Sequence, residues 1–201
     1  MYKRQVLVEG DWLKAERIVV CPGPDLRQLF AEAFTDSQTR LCQLQMLRVQ
    51  PPKGYRLGAG VMSDLSLVRY RGYSELPGSQ LLHDQLRVEC QKELVHGVHL
   101  IVVQSDDGSL VVGDSHHYGQ AMRPFASREV EDLILHEMQR MLCLGHYQIV
   151  ERWTGIYPSG PQDAMVKEVL PGVQLVSVTS GTGMSTSFGL AEEVVQTWSA
   201  T

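Results

Sequence analysis

The stretch VQLVSVTSGTGMSTSFGLAEEVV, residues 173–195, decides how the chain is read. Its opening, VQLVSVT, has the β-branched, apolar character of a strand. Ser180, Gly181, Thr182 and Gly183 follow as a loop, and Phe188, Ala191, Val194, Val195 and Trp198 then recur at helical spacing. Glycines at 181 and 183 allow a sharp turn and a close approach to a ligand, because no Cβ stands in the way. N–H groups at the start of the helix carry partial positive charge into that space, which suits an anionic or electron-rich ligand edge. An ordinary tight strand–helix turn has the same spacing. A dinucleotide fingerprint needs a third glycine, and Ser63 and Thr186 stand where it belongs after Gly58/Gly60 and Gly181/Gly183. No stand-alone GxGxxG is present.

Working outward, Val6-Leu7-Val8 and Ile18-Val19-Val20 flank Glu9-Gly10-Asp11 and read as a hairpin. A Pro- and Gly-rich turn at residues 21–25 leads to Leu26, Leu29, Phe30 and Ala33 at helical spacing, with Asp25 placed as the cap. A middle block, residues 41–150, opens with loosely alternating strand-like residues that run on through Leu65, Leu67, Val68, Tyr70 and Tyr73. Leu82, Leu86, Cys90 and Leu94 mark a helix. Residues 98–115 form two apolar runs around Asp107-Gly108, a strong hairpin signal. Val130, Leu133, Ile134, Met138, Met141 and Leu142 predict an amphipathic helix capped by Ser127, with Glu129 and Glu131 in its first turn. Residues 147–153 read as one more strand. There is no internal repeat.

The chain has 201 residues, with 18 Lys and Arg against 23 Asp and Glu, a formal charge of −5. Without a basic stripe, nucleic-acid binding is not expected. No apolar run is long enough for a membrane span or a secretory leader, so a soluble, cytoplasmic protein is expected. Cys21, Cys42, Cys90 and Cys143 are far apart and form no CxxC, as befits reduced thiols buried as small apolar residues.

Candidate chemistry gathers at Gly113-Asp114-Ser115-His116-His117-Tyr118. Two imidazoles beside an Asp can bind a metal or act as acid and base. A metal-dependent phosphoesterase using Asp114, His116 and His117 is the alternative this allows, but the further ligand clusters such a site needs do not follow, and no metal is expected. His96 and His99 sit nearby in sequence, at a helix end and a strand start. There is no GxSxG elbow and no cysteine in an electropositive motif, so nucleophilic hydrolysis lacks support. Arg71 and Arg123 read as solvated; Arg69 and Arg152 lie in apolar, strand-like runs and could reach an anionic substrate group or a salt bridge.

Three stretches together resemble the FAD-dependent oxidoreductases of the D-amino acid oxidase/glycine oxidase family: LKAERIVVCPG (13–23), GSLVVGDSHHYGQ (108–120) and GVQLVSVTSGTGMSTSFGLAEEVV (172–195). The resemblance implies an α/β fold, with an α+β substrate domain (41–150) inserted in a partial FAD-binding, Rossmann-like domain (1–40 and 151–201) whose N-terminal βαβ unit is missing. It implies FAD as cofactor, touched by Cys21, Gly23, Gly181, Thr182, Gly183, Met184 and Ser185. A small amine substrate would meet Arg69, His116, His117 and Tyr157, with His116 and His117 the candidate catalytic residues. Tyr157 stands where the family carries a carboxylate-clamping Arg. RWTGIYP (152–158) with GDSHHYG most resembles a subgroup associated with phosphonate catabolism, which implies an aminophosphonate such as an N-alkylated 2-aminoethylphosphonate. A partial reading frame that binds FAD weakly or not at all by itself is expected, as is, in the limit, a non-catalytic remnant of the scaffold.

Overall fold

A computed structural model describes residues 5–199. The chain divides into two compact units, one of the stretches before Gln43 and after Ile156, the other Gln43–Ile156. The divisions fall inside two long strands, after Cys42 and before Tyr157, where the sequence placed them at 40/41 and 150/151.

The first unit opens with β1 (Gln5–Val8) and β2 (Asp11–Lys14), paired antiparallel across Glu9 and Gly10. Both turn residues have positive φ, 51° and 97°, which matches the right-handed twist of a two-residue hairpin. The hairpin partner of residues 6–8 is therefore β2 and not Ile18-Val19-Val20. β3 (Ile18–Val20) belongs to another sheet, described below. Asp25 caps no helix: its Oδ1 accepts from the Arg27 and Gln28 amides, both at 3.1 Å, and closes a turn. Helix α1 (Ala31–Asp36) starts later, after Phe30 in the left-handed region, and buries Ala33 and Phe34.

β4 (Arg40–Gln50) leads into the second unit. There β5 (Val61–Met62) is followed by two short helices, α2 (Asp64–Leu67) and α3 (Arg71–Ser74), where strands were expected. Leu65 and Val68 stand one helical turn apart and pack with Leu86 and Cys90, a contact that overrides their β-like composition. The expected helix breaks at Cys90 into α4 (Ser79–Glu89) and α5 (Gln91–Val95). β6 (Ile101–Gln104) and β7 (Leu110–Gly113) form the hairpin around Asp107-Gly108, and β8 (His117–Gly119) follows.

Helix α6 (Arg128–Leu142) is capped by Ser127, whose Oγ accepts from the Val130 amide. β9 (Gln148–Ser159) is longer than expected and pairs with β4. The sheet runs β5-β6-β7-β4-β8, and Leu47, Val49, Val102, Leu110 and Val112 pack against Val130, Ile134 and Met138 of α6. On β4, Gln43 and Gln45 pin the loop before α6. Gln43 donates to the Arg123 carbonyl and accepts from its amide, and Gln45 does the same at Ser127. Replacing Ser127 by alanine is expected to lower stability by about 1 kcal/mol, read as a fall in the urea midpoint at unchanged slope.

The chain then completes the first unit with β10 (Ala164–Leu170), a strand absent from the sequence reading, β11 (Val173–Val178) and helix α7 (Gly183–Ser199). β11 pairs antiparallel with β10 and parallel with β3, giving the order β10-β11-β3. Leu175 and Met165 join Phe34, Ala33 and Leu26 in a small core. The expected apolar face of α7 is mostly uncovered: Val194 is buried and Trp198 is half-buried, donating to Gln174 Oε1 at 3.0 Å, but Phe188 is 87% exposed. Cys42 and Cys90 are buried as expected, whereas Cys21 and Cys143 are exposed. Among the described residues, no helix is long and apolar enough to cross a membrane.

Candidate functional site

In the first unit, β3 and β11 are parallel neighbours with Val20 opposite Leu175. Their carboxyl ends therefore release two loops at one sheet edge: Cys21-Pro22-Gly23 and Thr179 to Gly183. In open α/β sheets this edge is where ligands bind. Gly181 has φ +78°, and a Cβ there would lie 3.0 Å from Cζ and Oη of Tyr157. The structure thus places Tyr157 directly against the glycine loop, a proximity that sequence separation hid.

Thr182 starts α7. Its carbonyl accepts from the Ser185 and Thr186 amides, and its hydroxyl contacts Ser180 Oγ at 2.7 Å. The Ser185 amide is therefore already engaged. Among the described residues, the amides of Gly183 and Met184 donate to no protein acceptor, and the Met184 side chain is 96% exposed. Of the residues expected to contact cofactor, these two are the unengaged donors inside α7; the Gly23, Gly181 and Thr182 amides in the two loops likewise donate to no protein acceptor among the described residues. A cavity of about 290 Å³ lies beside Thr179, lined also by Ser37, Thr39, Gly160 and Gln162.

In the second unit, His99 and Asp114 exchange backbone hydrogen bonds, each amide donating to the other's carbonyl at 3.1 Å. Their side chains meet, with His99 Nε2 3.2 Å from Asp114 Oδ1. His116 Nε2 lies 3.8 Å from Asp114 Oδ2, and the two imidazoles stack with centroids 4.7 Å apart. Burial holds the Asp114 carboxyl up at about 7, against the pull of the Arg69 guanidinium. Burial also pushes His99 down to about 2 and His116 down to about 3, with His116 and Arg69 adding to the first and Arg69 to the second. Both imidazoles are neutral at neutral pH. His99 is the member of this group that the sequence reading passed over, because its contact with Asp114 is made through strand pairing.

His117 points elsewhere. Its Nε2 is 3.2 Å from His96 Nδ1, and both line a small cavity of about 50 Å³ with Gln43, Arg123 and Phe125. Arg69 lies between α2 and α3, not in a strand, and donates to Tyr118 Oη at 3.1 Å. Arg152 forms the salt bridge, donating to both carboxylate oxygens of Glu131 at 2.6 and 3.1 Å. The structure brings Cys21, Gly23 and residues 181–184 to one edge, with Tyr157 against Gly181. It separates His116, which faces Asp114, from His117.

The family model described as FAD dependent oxidoreductase matches residues 3–197. The chain belongs to this family. FAD is the family's cofactor, as the resemblance implied, and membership favours flavin chemistry over the phosphoesterase alternative. Solved structures with a similar fold include L-proline dehydrogenase from P. horikoshii (TM-score 0.61, 14% identity, 90% of this chain and 41% of that chain). Glycine oxidase from Bacillus cereus ATCC 14579 is similar (TM-score 0.59, 14% identity, 90% and 42%). So is iminodiacetate oxidase from Chelativorans sp. BNC1 (TM-score 0.55, 15% identity, 90% and 44%). At these identities the likeness is one of fold. The chain spans about two fifths of the length of these structures. A sequence comparison with curated proteins finds no match. The carboxyl edge of β3 and β11 offers unengaged backbone donors of the kind an electron-rich ring edge accepts, beside an exposed Met184 side chain, while the close approach that Gly181 permits is that of Tyr157.

Proposed function

We propose that this chain forms part of an FAD-dependent oxidoreductase that oxidises the C–N bond of a small amine or amino acid, with an aminophosphonate such as an N-alkylated 2-aminoethylphosphonate as substrate. The observation that carries the reading is the pair of amides, Gly183 and Met184, at the carboxyl edge of β11. Bound FAD supplies the two-electron acceptor. The two amides would hold its electron-rich ring edge, because fixed backbone dipoles can stabilise added negative charge without reorganisation. Cys21 and Gly23, on the neighbouring loop, would contribute to holding it, and Tyr157 backs Gly181.

On the substrate side, the Arg69 guanidinium, steadied by Tyr118, binds the anionic group. Arg is suited to this because its fork of N–H donors matches a carboxylate or phosphonate. His117 completes the polar surroundings of the amine, and the protein works in the cytoplasm. Tagged at its chromosomal locus and purified from its own cells, the protein is expected to show a flavin spectrum that bleaches when N-methyl-2-aminoethylphosphonate is added without oxygen. Bleaching by glycine or proline but not by the phosphonate would overturn the substrate class. A protein that carries no flavin and takes up none when FAD is supplied would overturn the reading as a whole.

A further inference from the structure

The Asp114 carboxylate faces two imidazole nitrogens, and hydrogen bonding on the far side of each ring commits its other nitrogen. His116 Nδ1 lies 2.9 Å from the Gly97 carbonyl, which only accepts, so Nδ1 carries a proton. His99 Nδ1 lies 3.2 Å from Ser66 Oγ, and the Ser66 hydroxyl donates to the Leu100 carbonyl. A hydroxyl has one proton to give, so His99 also keeps its proton on Nδ1. With Nδ1 committed in each ring, Nε2 is the nitrogen that each turns toward the carboxylate. His99 Nε2 and Asp114 Oδ1 are buried and have no hydrogen-bond partner although they are 3.2 Å apart, and the His99 side chain is only 2% exposed. Leaving buried polar atoms unpaired is costly.

We propose that His99 Nε2, His116 Nε2 and the Asp114 carboxylate bind one divalent first-row transition cation, with zinc as the best match to this donor set. Bonds of about 2.0–2.2 Å in tetrahedral array put neighbouring donors roughly 3.4 Å apart. His99 Nε2 is 3.2 Å from Asp114 Oδ1 and His116 Nε2 is 3.8 Å from Asp114 Oδ2, both near that spacing, and one donor atom from each of the three residues lies within 4.8 Å of the others. The Gly97 and Ser66 contacts are the outer hydrogen bonds that fix ligand tautomer and ring orientation in such sites. Asp114 is 16% exposed, which leaves a side for a water as fourth ligand. A second acid–histidine group, Glu93, His136 and Glu137, lacks this character because Arg140 already neutralises Glu137. Arg69 acts on all three proposed ligands as a positive charge, so it opposes the cation.

The test is a titration of the chelator-stripped chain with Zn²⁺ by calorimetry and with Co²⁺ by visible absorption. One cation per chain is expected, at a dissociation constant on the order of micromolar or tighter, with the strong d–d bands of a four-coordinate Co²⁺ centre. His99→Gln and Asp114→Asn should each weaken Zn²⁺ at least about 100-fold, and Arg69→Met should tighten it. Should either ligand variant fail to fold, the imidazole ¹⁵N spectrum of the unaltered chain decides: Zn²⁺ must shift Nε2 of both His99 and His116. Absence of saturable binding, binding unchanged in both ligand variants, or Zn²⁺ shifts confined to His96 and His117 would overturn the proposal.

Discussion

Arg140→Ala is expected to destabilise the unit of residues 43–156 by about 3–5 kcal/mol, the cost of stranding a buried charge. Glu137 lies on the inner side of α6 with no exposed surface, beside Met138 of the core. Arg140 donates to both of its oxygens at 3.0 Å and ties the pair to Asp64 at 2.6 Å. The guanidinium is one-third exposed, so most of its own solvation survives, while the carboxylate depends on it for compensation. Removing Arg140 leaves Glu137 to protonate or to drag water into the core. Urea unfolding checks this. A double replacement, Glu137→Leu with Arg140→Met, removes both charges and should recover most of the loss. A single-variant cost below about 1 kcal/mol would mean the pair behaves like an exposed one.

The other large effect is expected at Gly181. With φ at +78°, any side chain there adopts the left-handed region, at about 1–2 kcal/mol. A Cβ would also stand 3.0–3.1 Å from three atoms of the Tyr157 side chain. Gly181→Ala must move either the loop or the ring, and movement of the loop re-aims the Gly183 and Met184 amides. Flavin affinity should fall about tenfold or more, since a misdirected charge-assisting donor is worth on the order of 1.4 kcal/mol. Adding Tyr157→Ala removes the collision but not the backbone strain, so the double variant should regain part of the affinity. If Gly181→Ala binds flavin as the unaltered chain does, the loop does not hold it.

Elements whose signals are local were legible in the sequence. Asp107-Gly108 marked the β6–β7 hairpin, and α6 was readable because its cap, acidic first turn and apolar stripe agree. The Gly181–Gly183 loop stood out because few residues other than glycine suit its backbone. What was hidden depends on distant partners. Ile18-Val19-Val20 looked like half of a hairpin until β11 claimed it, and only that parallel pairing brings Cys21 and residues 181–184 together. Leu65 and Val68 looked like strand residues because what they bury against, Leu86 and Cys90, lies well downstream. His99 joined Asp114 through strand pairing, and Tyr157 met Gly181 through β9, relations no spacing rule reports. The exposed apolar residues of α7 show the limit of periodicity, which says which residues share a face but not what covers it.

The question beneath all of this is whether the mouth of α7 receives a flavin. The direct measurement is a ¹H–¹⁵N spectrum of the chain titrated with FAD, which reports binding at each amide even when affinity is weak. The largest shifts are expected at Gly183 and Met184, with smaller ones at Cys21, Gly23 and Gly181, all saturating together. Shifts absent from residues 181–184, or concentrated instead around His117 and Arg123, would contradict it.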